Sequence, residues 1–125
     1  MNQPWSQIRQ YYAVIVDRRA ALIGTGEGWA SALKAMLNLV EQIEASRYAG
    51  GLFAWTSMHD LCIVQTPVTY PYNGPYLRIS PRDNGQLEFR YLDTEIVEKQ
   101  WHRTVAGGDA FARLIRFIEQ LHWFG

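Results

Sequence analysis

Residues 76–92, YLRISPRDNGQLEFRYL, alternate apolar and polar side chains on either side of Asp83-Asn84-Gly85, and this stretch restricts the fold more than any other. A period of two marks a strand with one buried face, and turn residues between two such halves mark a hairpin. Loop length then decides which residues meet. A two-residue Asn84-Gly85 turn puts Ile79 across from Arg90 and mixes the two faces. A three-residue Asp83-Asn84-Gly85 loop, with Gly85 left-handed, pairs Ile79 with Phe89 and Leu77 with Tyr91. The hydrophobic pattern selects the longer loop.

That register sorts the neighbouring residues. VEKQWHRTV (97–105) reads as a further strand whose Val97, Trp101 and Val105 share the apolar parity. The opposite parity forms one polar face carrying Tyr76, Arg78, Ser80, Glu88, Arg90, Glu98, Gln100, His102 and Thr104. Arg78 stands opposite Arg90, and like charges so placed destabilise a sheet by up to ~1 kcal/mol. This face admits three readings. Glu88 and Glu98 neutralise the arginines in a solvated lattice. The guanidinium forks, with nearby tyrosines, receive a small anionic ligand or a protein partner. His102 works with Glu88 or Glu98 as an acid–base pair.

The remaining elements follow from spacing. Pro4 suits the first position of a helix, with Trp5, Ile8, Tyr12, Ile15 and Leu22 near helical spacing, although Val14-Ile15-Val16 is β-branched. Trp29, Leu33, Met36, Leu37, Val40 and Ile43 form a clearer apolar stripe, and Gly50-Gly51 is expected to end that helix. GLFAWTSMHDLCIVQT (51–66) predicts a hairpin with its tip at Met58-His59, Trp55 facing Cys62 and Phe53 facing Val64. Both of its faces are apolar and both need cover. PVTYPYNGPY (67–76) is a connection rich in proline and tyrosine. After Gly107-Gly108, Asp109 is the expected N-cap of a helix whose stripe runs through Phe111, Leu114, Ile115, Ile118, Leu121 and Phe124, with Phe117 broadening it and Trp123 off it. The fold class is therefore α+β: an antiparallel sheet of four to five strands against an N-terminal helix or helix pair and a C-terminal helix, in a single domain over residues 1–125.

Composition removes several function classes. Twelve basic residues balance twelve acidic ones, which disfavours nucleic acid as a partner. No apolar run approaches the roughly 20 residues of a membrane span, and no secretory leader is evident, so a cytoplasmic, soluble protein is expected. The single Cys62 in an apolar run reads as a buried thiol. His59, His102 and His122 lack metal-binding spacing, and no metal or other cofactor is expected. Gly24, Gly26 and Gly28 precede the second helix, but Trp29 stands where a dinucleotide loop needs its last glycine, so they read as a hinge, with Thr25 able to cap. His59-Asp60 reads as ordinary turn residues.

The functional expectation is a binding or interaction module with no assigned reaction. Its candidate site comprises Tyr72, Tyr76, Arg78, Glu88, Arg90, Glu98 and His102, with Tyr70 in the same connection. Arginine and aromatic residues together make binding hot spots. The rival is an enzyme using His102 with Glu88 or Glu98 beside Arg78 and Arg90. The two-sided apolar hairpin and the wide C-terminal stripe also admit a homodimer.

Overall fold

In the computed structural model, the described residues are 3–20, 27–67, 75–92, 101–121 and 123. Helix α1 spans Trp5–Ala20 and α2 spans Glu27–Ala45; strands β1 (Phe53–Ser57), β2 (Asp60–Val64), β3 (Tyr76–Pro81), β4 (Gln86–Leu92) and β5 (Trp101–Ala106) follow, then α3 (Ala110–Gln120). The strands form one antiparallel meander in the order β1-β2-β3-β4-β5, an α+β architecture. None of the described helices is long and apolar enough to cross a membrane.

The β3–β4 hairpin has the longer loop. Leu77 pairs with Tyr91 and Ile79 with Phe89. The Arg82 N–H donates to the Gln86 carbonyl and the Gly85 N–H to the Arg82 carbonyl, closing a turn in which Gly85 takes φ +87°. In the first hairpin Trp55 pairs with Cys62 and Phe53 with Val64, so the tip falls at Met58-His59. Met58 takes a left-handed φ of 57°. Tyr11 donates to its carbonyl and Tyr12 donates to the His59 carbonyl at 2.9 Å, pinning the tip to α1.

Helix α2 lies on the sheet face that carries Leu61, Ile63, Leu77, Ile79, Leu87 and Phe89, all fully buried with Leu33, Met36, Leu39, Val40 and Ile43 of the helix. Burying side chains of this size stabilises the fold by about 1.5–3 kcal/mol each. Two glycines allow the close approach. A Cβ on Gly28 would sit 1.9 Å from the Asp83 carbonyl oxygen, and one on Gly107 would sit 2.7 Å from Ala35 Cβ. Gly28 is thus a contact residue within the first turn of α2, not part of a hinge; Thr25, Gly24 and Gly26 lie outside the described residues.

Other expectations are corrected at element ends. Helix α2 stops at Ala45, ahead of Gly50-Gly51, because the Ser46 hydroxyl donates to the Ile43 carbonyl at 2.8 Å and accepts the Tyr48 N–H; the glycines sit in a following 3₁₀ turn. Pro4 precedes α1, and its carbonyl accepts the N–H groups of Gln7 and Ile8. Asp109 holds the N-cap position of α3, but its side chain makes no capping bond. Phe117 is central to the core: it is fully buried and its ring packs on Tyr91, Trp101 and Trp123. Phe111, Ile115 and Leu121 are only half-buried. Leu22, Val97 and Phe124 lie outside the described residues.

Candidate functional site

The side of the sheet away from α2 is built row by row from the strand registers. One row crosses all the strands as Trp55, Cys62, Arg78, Arg90 and His102. Beside it, Ser80, Glu88 and Thr104 form a second row, and continuing the β2–β3 register sets Asp60 level with Ser80. Alternation along each strand therefore places an acidic and hydroxyl row next to a cationic one. On the other flank, Trp55, Cys62 and Val64 are buried in a small apolar cluster with Phe53 and Tyr76 against it, so the outer face of the first hairpin is covered as its sequence requires. The Trp55 and Tyr76 rings lie 5.6 Å apart.

Arg78 stands across from Arg90, and Asp60 resolves the conflict. The Arg78 Nε donates to Asp60 Oδ2 at 2.6 Å, and Arg90 Nη2 approaches the same oxygen at 3.7 Å. The Arg78 and Asp60 side chains retain only 22% and 18% exposure, so solvent screens their attraction incompletely. Burial alone would lower the Arg78 pKa; the bond to Asp60 and nearby groups raise it overall. Glu88 serves the other side of the lattice. It accepts from Arg82, and its carboxylate lies 3.1 Å from Arg90 Nε without the alignment of a hydrogen bond. Arg90 Nη2 also donates to Ser80 Oγ at 3.2 Å.

Cys62 faces Arg78 beneath this lattice. Burial, opposed by the Arg78 charge, pushes its thiol up to about 11, so it stays protonated and inert near neutral pH.

His102 sits beside Arg90 on the edge strand, exposed, at the rim of an open recess of about 400 Å³ that Glu88, Arg90 and Trp101 also line. Among the described residues no carboxylate bonds to its ring. Of the two carboxylates expected beside His102, Glu88 is engaged by Arg82 and Arg90, and Glu98 lies outside the described residues.

The sheet thus brings Tyr76, Arg78, Glu88, Arg90 and His102 onto one face, while Tyr72, Glu98 and Gln100, with Tyr70, lie outside the described residues. Asp60 is the residue that sequence reasoning missed. Its signal was available in part, since Asp60 shares the parity of Cys62 and the outer face; what was missing was the β2–β3 register, which no tight turn sets. His59 is a turn residue as expected, its ring edge-on to Trp29 at 5.8 Å and its Nδ1 3.4 Å from the Tyr11 hydroxyl. Among the described residues no cluster of potential ligands could hold a metal ion. No family model, curated protein or solved structure matches this chain.

Proposed function

We propose that this protein is an interaction module whose outer sheet face docks a protein partner. The observation that carries this reading is the lattice in which Asp60 and Glu88 alternate with Arg78, Arg82 and Arg90 on an open face bordered by Trp55 and Tyr76. A small anion would have to displace carboxylates already in place, and the recess beside His102 encloses too little to compensate. A protein surface of matching charge loses no such contact. It meets arginines whose orientation Asp60 and Glu88 already hold, so little side-chain entropy is lost on docking. Arginine side chains at the centre of such a patch contribute disproportionately to affinity.

The test compares the wild-type protein with the Arg78→Ala/Arg90→Ala double variant as immobilised baits in a lysate of the source cell. A protein retained by the first and lost by the second, with both baits giving the same circular dichroism spectrum, supports docking through this face. Equal retention by both baits removes the arginines from the interface. A melting temperature raised by inorganic phosphate and insensitive to any retained protein favours the small anion instead.

A further inference from the structure

The two borders of the sheet are not equivalent. At β1, Gln3 supplies a partner: its N–H donates to the Ala54 carbonyl at 2.7 Å, and its Oε1 accepts the Thr56 N–H at 3.2 Å. At β5, among the described residues, no other strand bonds to the corresponding groups. The Arg82–Gln86 bond turns Glu88 and Arg90 toward β3, so Phe89 and Tyr91 bond to Arg103 and Trp101. His102 and Thr104 then aim their main-chain N–H and C=O groups away from the sheet. Among the described residues those of Thr104 find no partner, and the His102 carbonyl accepts the Arg103 Nη1 at 2.8 Å. All three of these side chains are exposed.

Alongside this border runs a recess of about 390 Å³, walled by Thr104 and Val105 of β5 and by Ala112, Arg113 and Arg116 of α3, with Asp109 at one end. Its charge is positive, two arginines against one aspartate, with Arg103 adjoining. The cations are held in place. Arg103 and Arg113 each set the guanidinium carbon 5.5 Å from the centre of the Trp101 ring. The Arg113 Nε is buried with no hydrogen-bond partner.

We propose that this groove receives an extended acidic peptide segment as an added strand on β5. Main-chain bonds to Thr104 and to the His102 N–H supply affinity, and alternate side chains of the guest face α3. Alternate strand residues lie about 6.6 Å apart, and Arg113 and Arg116 are about 4.5 Å apart along the helix axis, a difference that long side chains span. A carboxylate that draws Arg103 away also frees the His102 carbonyl to accept a peptide N–H. The border is therefore shielded from other strands and opened by an acidic one. A second copy of this chain is the wrong guest, because it would set Arg103, Arg113 and Arg116 against their own equivalents. Edge arginines that repel like copies are a known protection against self-pairing.

The experiment measures fluorescence anisotropy of the intact protein with a fluorescein-labelled Glu-Val-Glu-Val-Glu-Val peptide, its Lys-Val counterpart, and a Glu-Val peptide N-methylated at alternate amides. Saturable binding of the first peptide alone is expected. Arg113→Gln/Arg116→Gln should weaken it by about tenfold or more. Thr104→Pro, which removes an N–H that bonds nothing within the sheet, should weaken it while native circular dichroism is kept. Arg78→Ala/Arg90→Ala should leave it unchanged, which separates this groove from the outer face. The proposal fails if the N-methylated peptide binds as tightly, since charge alone would then account for the complex. It fails equally if the Lys-Val peptide binds as well, if the folded Arg113/Arg116 variant binds undiminished, or if the wild-type protein binds none of the peptides.

Discussion

Asp60 Oδ2 lies 2.6 Å from Arg78 Nε on the face where Arg78 stands opposite Arg90. One carboxylate therefore makes tolerable a cross-strand pair that would otherwise repel. Asp60→Asn keeps the shape and removes the charge. It should destabilise the protein by about 1–3 kcal/mol, as expected for a partly buried hydrogen bond to a charged group. Arg90→Gln in the same background should recover part of that loss. Urea unfolding of the single and double variants measures both; additive losses would show that Asp60 does not mediate between the arginines.

Met58 combines a left-handed φ of 57° with 85% exposure. A non-glycine residue in that region costs about 1–2 kcal/mol, and so exposed a side chain returns little through packing. Met58→Gly should therefore raise stability by about 0.5–1 kcal/mol after the glycine's own entropy cost. A rise in melting temperature is the readout.

Gly28→Ala should act in the opposite sense. The new Cβ would fall 1.9 Å from the Asp83 carbonyl oxygen, a main-chain atom in a turn fixed by its own hydrogen bonds. Neither α2 nor the hairpin can yield without losing core contacts, and a loss of roughly 3 kcal/mol or more is expected. Denaturant titration reads it directly, while Gly50→Ala, where nothing lies within 4 Å, serves as the neutral control.

Alkaline pH should weaken the fold through Cys62. Its thiol ionises near 9.0 when unconstrained and near 11 when folded, so the folded chain holds the proton longer. Stability from this group is complete below pH 9 and falls as pH rises through 11, by on the order of 2 kcal/mol. Burial raises the Tyr12 phenol in the same sense. In Cys62→Ala the slope of stability against pH between those limits should flatten. Iodoacetamide should modify the wild-type thiol only after denaturant is added.

How much of this could be read beforehand depends on what sets each register. The pairings of Ile79 with Phe89 and Trp55 with Cys62 were legible because a short turn and a period of two leave one solution each. The link between β2 and β3 runs through the connection after residue 66, and no local rule aligns those strands. Asp60 consequently looked like a turn residue although it is the counter-ion of the candidate site. The end of α2 is hidden for a different reason: Gly50-Gly51 carries the stronger stop signal, whereas the Ser46 hydroxyl competes for the last carbonyls five residues earlier than Gly51. Gly28 was legible as glycine but not as a contact, since the Asp83 carbonyl that needs the space is remote in sequence.

Gln3 has a wider consequence. Fibres grow when each unit offers two sticky margins, so that every addition exposes a fresh one. Here one margin is already stitched to Gln3. A guest laid along the other finds no matching seam on the far side, and growth stops at a single addition.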